Sequence, residues 1–144
     1  MTTVVDKLTG EQLAESLLQG VEDEQVEAAT RLMGAYRGGY WLRRLVEDRS
    51  LAVVSRFALI NRTGNHPSVE WEAVQLLLMR NPGIFRASDS ELAMLEIAVS
   101  LAVDYPVRLG SALCAMDGTE FGLVLQALRG AGPGWLAHVP ADRS

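Results

Sequence analysis

The sequence predicts an all-α fold: a single compact helical domain of about six or seven helices over residues 1–134, a C-terminal tail over 135–144, and room for a minor two-stranded element within residues 41–71. Three observations carry this expectation. Apolar residues recur at spacings of three and four along most of the chain, which places them on single helix faces. Helix-capping residues open several of these stretches, and glycine or proline closes them. The chain has 144 residues, 49% of them apolar and 22% charged. That is long enough to bury a core and too apolar for a disordered segment.

The first helix opens at Thr9, with Gln12 at the position that completes a capping box, and Leu8 and Leu13 placed for a hydrophobic staple. Leu13, Leu17 and Leu18 form its apolar stripe, and Gly20 is placed to end it. A second helix starts near Asp23. Val26, Ala29, Met33, Tyr36 and Tyr40 lie on one of its faces, and Gly38-Gly39 breaks or kinks it. Trp41, Leu42, Leu45 and Val46 continue with helical spacing, with Arg43 and Arg44 on the opposite side.

Residues 50–60 fit a short buried helix or a strand, and the reading favours helix. Residues 62–67 form a loop. A helix over Ser68–Arg80 buries Val69, Val74, Leu77 and Leu78, and stops before Asn81-Pro82-Gly83. Ser88, with Glu91 three residues on, caps the next helix, whose stripe is Leu92, Leu95, Ala98, Val99 and Ala102 and which Pro106 closes. Leu109–Met116 reads as a short helix. Asp117 and Glu120 open the last long one, with Phe121, Val124, Leu125 and Leu128 as its expected core face and Gly130 as its end.

Several kinds of chemistry are excluded by inventory. Cys114 is the only cysteine, so no internal disulfide framework or cysteine zinc cluster forms within this chain. Its neighbours Leu113, Ala115 and Met116 suggest an inert buried thiol. His66 and His138 are the only histidines and both fall in expected loops or tail. Glu22, Asp23, Glu24 and Glu27 lack the spacing of a calcium loop and read as a solvated helix start. The glycines of residues 130–134 follow a helix and precede no lysine, which makes them a helix stop and not a phosphate loop. No catalytic constellation and no cofactor site emerge, so the expectation is a protein that is not an enzyme.

Charge is segregated along the chain. Residues 1–30 carry seven acids and one lysine, a net of −6, whereas residues 37–62 carry six arginines against Glu47 and Asp48, a net of +4. This nominates Tyr40, Arg43, Arg44 and Arg49 as a contact cluster for a partner or a nucleic acid. The intramolecular alternative is that the basic segment packs against acidic helices of the same chain or of a second copy. Leu95–Val103 has the spacing of the first helix and turn of a helix-turn-helix, with Ala98 at the small position. Its second half departs from the pattern, because Arg108 and Ser111 fall where apolar residues are needed.

The functional expectation is therefore a non-enzymatic protein–protein interaction or adaptor domain, acting through a helical surface as a homo-oligomer. The mean hydropathy is slightly positive for a chain this small, consistent with apolar surface that a second subunit or protein partner covers. The runner-up is a DNA-binding regulator using residues 37–62, and the third reading is a small-ligand-binding helical protein or enzyme. The first residues, Met1–Lys7, lack the basic and apolar runs of a secretion signal. With no apolar run long enough to span a bilayer, the expectation is a cytoplasmic protein with no membrane partner.

Overall fold

The computed structural model describes residues 8–48, 51 and 58–132. Among them are seven α-helices and one two-stranded hairpin: α1 (Gly10–Ser16), α2 (Glu24–Ala35), α3 (Tyr40–Glu47), β1 (Ile60–Asn61), β2 (Ser68–Val69), α4 (Trp71–Arg80), α5 (Asp89–Val103), α6 (Leu109–Ala115) and α7 (Gly118–Ala131). Short 3₁₀ turns occupy Tyr36–Gly38 and Pro82–Phe85. The single all-α fold expected from the sequence is what forms.

Local chemistry starts the helices as their sequences require. Three capping boxes are made in full, Thr9 with Gln12, Ser88 with Glu91 and Asp117 with Glu120. In each, a side-chain oxygen takes an orphan amide of the first turn, and the partner side chain returns to the cap's own amide. Asp23 caps α2 by accepting from the amides of Gln25 at 2.8 Å and Val26 at 3.1 Å.

Helix α2 is the spine of the molecule, packed against α1, α3, α5 and α7. It ends at a sharp bend. Arg37, Gly38 and Gly39 all take left-handed backbone conformations, and the chain restarts as α3 in a new direction. Glycine makes two of these three conformations inexpensive. Trp41, fully buried, sits beyond the bend. Its indole N–H donates to the Glu91 carbonyl at 2.9 Å, and its ring meets Phe85 edge-on at 5.6 Å.

The hairpin pairs Ile60 with Val69 and Asn61 with Ser68 in antiparallel register. Two expectations are corrected here. Ile60 belongs to a strand and not to a helix over residues 50–60; Leu51 is helical and buried, and residues 49–50 and 52–57 lie outside the described residues. The helix expected over Ser68–Arg80 begins only at Trp71, because Ser68 and Val69 are engaged in the hairpin and the Glu70 amide extends it by donating to the Leu59 carbonyl at 2.8 Å. The downstream stops also shift. α5 ends at Val103 on Asp104 in a left-handed cap, before Pro106, and α7 runs one residue past Gly130.

The largest correction concerns α7. It buries Glu120, Val124 and Ala127. Of the four expected core residues only Val124 is buried, while Phe121, Leu125 and Leu128 are 41, 50 and 47% exposed. The physical reason lies in the packing against α2 and α5. Short side chains at 124 and 127 let α7 approach closely, and the Glu120 carboxylate is drawn inward by the Tyr36 hydroxyl, which donates to it at 3.1 Å. Cys114 is corrected in the same sense, being exposed on α6 and not buried.

Candidate interaction surface

The cluster nominated by the sequence begins with Tyr40, Arg43 and Arg44 on α3, all half-buried; Arg49 lies outside the described residues. The two guanidiniums are turned into the molecule. Arg43 donates to the carbonyl of Leu8, ahead of α1, and at 3.0 Å to that of Gly38 in the bend. Arg44 donates to the carbonyl of Phe85, pairs with Asp48 at 2.9 Å, and lies over the rings of Trp41 at 5.2 Å and Tyr40 at 5.9 Å. Arg37 in the bend pairs with Glu91 at the start of α5, at 2.5 Å. Arginine suits these positions because its planar fork satisfies several acceptors and stacks on aromatic rings at once. Among the described residues, Arg37, Arg43 and Arg44 are thus used within the chain, tying the segment before α1, the α2–α3 bend, the Pro82–Phe85 turn and the head of α5 together, while Arg62 is exposed.

A different surface stands out in the folded chain. Six large apolar side chains are exposed among the described residues, and five of them, Leu109, Leu113, Phe121, Leu125 and Leu128, belong to the two consecutive helices α6 and α7. The sixth, Met79, is on α4. Leu109 and Leu113 are four residues apart, and Phe121, Leu125 and Leu128 follow at four and three, so each set shares one helix face. From residue 109 to 128 the only ionisable carboxylates are Asp117 and Glu120, and both are tied up in the capping box of α7. The exposed face of each helix is therefore apolar and nearly uncharged. The sequence carried a trace of it: α7 has Phe121, Leu123, Val124, Leu125, Ala127 and Leu128, more apolar circumference than one contact with a core requires.

On the other side of α7 lies a groove. Its walls are α1, α2 and α7, its floor includes Ala14, Ala28, Leu32 and Ala127, and its volume is about 330 Å³. Glu11, Glu15, Arg31 and Gln126 stand at its rim. Arg31 pairs with Glu15 across the helices and with Glu27 at 2.9 Å along α2, and these two bonds raise its pKa further.

Burial shifts three titratable groups elsewhere. Burial, reinforced by the hydrogen bond to Glu120, pushes the Tyr36 hydroxyl up to about 12. Burial raises the Glu96 carboxyl and, with the nearby Glu96 charge, the Tyr105 hydroxyl. Among the described residues no group of three or more His, Cys, Asp or Glu is placed to hold a metal ion, and no helix is long and apolar enough to cross a membrane. His66 is exposed in the hairpin loop, away from Cys114 in sequence and element, and His138 lies outside the described residues.

Comparison with known proteins leaves these residues to speak for themselves: no family model matches the chain, and no curated protein or solved structure is significantly similar to it.

Proposed function

We propose that this chain is a non-enzymatic protein–protein interaction module that self-associates through the outer face of α6 and α7. The observation that carries the reading is the gathering of five of the six exposed large apolar residues on those two helices. Leaving such side chains in water has a free-energy cost of roughly 25 cal/mol per Å² of apolar surface, which a partner would remove.

A second copy is the partner favoured by charge. The chain carries −5 overall, so most of its surface repels its own kind, whereas the 109–128 face brings almost no charge to a contact. Apolar helix faces are also self-complementary, as a two-fold contact requires.

Light scattering over a concentration series tests this. A dimer that dissociates on dilution is expected, and Leu125→Asp, at a half-exposed position, should give a monomer with unchanged helical circular dichroism. The exposed Cys114 supplies a second readout, since its alkylation should slow as the protein is concentrated. A strict monomer at tens of micromolar, with Cys114 reactivity independent of concentration, would overturn the proposal.

A further inference from the structure

The groove between α1, α2 and α7 is made by one face of each helix. Its floor is apolar and buried: Ala14, Ala28 and Ala127 bring only methyl groups to it, joined by Leu32. Short side chains at these positions leave a volume of about 330 Å³. That is the lower end of the roughly 300–1,000 Å³ range of small-molecule sites, which are mostly apolar with a few placed polar groups. Here the polar groups, Glu11, Glu15, Arg31 and Gln126, are all exposed and line the groove above that floor.

Their charges do not cancel. Glu11 and Glu15 against Arg31 leave a net of −1, and Glu27, bonded to Arg31 from the neighbouring turn of α2, makes it −2. The Arg31 guanidinium is already engaged, through Nη1 with Glu15 and through Nε with Glu27 at 2.9 Å. Glu11 stands one turn before Glu15 on α1, and among the described residues no cation pairs with it. We infer that the groove binds a small organic amine, with its apolar body on the alanine floor and its ammonium against Glu11.

The sign of the ligand's charge follows from the rim. A cation adds the missing partner of Glu11, and Gln126 on the α7 wall offers an amide oxygen for a further N–H. An anion would meet Glu11 and Glu15 and would have to compete with two carboxylates for Arg31. The depth profile suits an amphiphile: the body covers buried methyl groups, while the head stays at an exposed rim and keeps part of its hydration, so no unpaired charge is buried. This site goes beyond self-association and is independent of it, because Phe121, Leu125 and Leu128 occupy the opposite arc of α7.

Three probes of one shape test the inference, namely phenethylamine, phenethyl alcohol and hydrocinnamate, each titrated into the full chain and followed by amide NMR. Phenethylamine should shift the amides of Ala14, Ala28 and Ala127 and saturate. The alcohol should bind about three- to fivefold more weakly, the margin of an exposed ion pair, and the carboxylate more weakly still. Glu11→Gln should bring the amine down to the affinity of the alcohol and leave the alcohol's own affinity unchanged. Ala35→Leu, at an exposed position of the α2 wall, should obstruct the groove and abolish binding of both with unchanged circular dichroism. Hydrocinnamate binding as tightly as the amine would assign the groove to an anion at Arg31 and overturn the inference. Equal affinity for amine and alcohol, or shifts that do not saturate, would overturn it too.

Discussion

Gly10 and Gly34 meet backbone to backbone where α1 crosses α2. A Cβ on Gly10 would stand 2.0 Å from the Gly34 carbonyl oxygen and 2.7 Å from both the Gly38 carbonyl carbon and the Gly39 nitrogen; one on Gly34 would stand 2.7 Å from the Ala14 Cβ. No rotamer relieves contacts made by a Cβ against backbone. Gly10→Ala is expected to destabilise the chain by about 3 kcal/mol or to force α1 off α2, the upper range for overpacking. Gly122, in mid-α7, has open space around its missing Cβ. Gly122→Ala should therefore stabilise by about 0.5–1 kcal/mol through helix propensity. Thermal unfolding of the two variants side by side checks the pair, and equal shifts would refute the reading of this crossing.

Arg44 is expected to behave as a structural residue. Arg44→Ala removes the side-chain donor to the Phe85 carbonyl and one of the partners of Asp48, and strips the cation from Trp41, at a cost of about 1–3 kcal/mol. Arg44→Lys should recover only part of this, because an ammonium neither forks nor stacks. Arg62→Ala, in the exposed hairpin loop, should fall within about 0.5 kcal/mol of the parent. Chemical denaturation measures all three, and a neutral Arg44→Ala would return the residue to the list of free surface contacts.

The Tyr36–Glu120 bond predicts an alkaline weakening. The folded chain holds the Tyr36 proton up to about 12, against an ordinary value of 10.0 in the unfolded chain. The folded state thus binds this proton more tightly, so the contribution is complete below pH 10 and is lost as pH rises from there through about 12. Tyr36→Phe should be less stable at neutral pH by about 1.5–3 kcal/mol, the cost of removing a bond to a charged acceptor. It should also lose stability less steeply over that alkaline window. Tyr105 shifts in the same direction and is present in both proteins, so the comparison isolates Tyr36. Urea unfolding at several alkaline pH values checks this; parallel pH profiles for the two proteins would contradict it.

The caps give the plainest test. Asp117→Ala removes the acceptor for the Glu120 amide and should destabilise by about 1 kcal/mol. It also loosens the head of the helix that carries Phe121, Leu125 and Leu128, so its dimer should dissociate at a higher protein concentration than the parent's. Loss of stability with unchanged association would separate α7 from the contact surface.

The features readable from the residues alone are local. Thr9, Asp23, Ser88 and Asp117 start helices because a side-chain oxygen two or three residues from an orphan amide needs nothing beyond its own segment. The Gly38-Gly39 bend and the hairpin loop were legible for the same reason. The class of fold follows from these signals and from apolar spacing.

Which way the amphipathic elements turn depends on long-range packing. α7 offers two apolar arcs, and periodicity favours the one with the larger residues. Close packing of Val124 and Ala127 on α2, with Glu120 held inward by Tyr36, chose the other and left Phe121, Leu125 and Leu128 outside. The arginines reversed in the opposite direction. Arg43 and Arg44 lie off the apolar stripe of α3 and read as solvent-facing. Yet the carbonyls of Leu8 and Phe85, distant in sequence, wait beside them in the fold. A short-range pattern encodes where a helix begins; what lies across from each of its faces depends on residues tens of positions away, and that pairing left the large apolar side chains of α6 and α7 exposed and gave Arg43 and Arg44 internal ties.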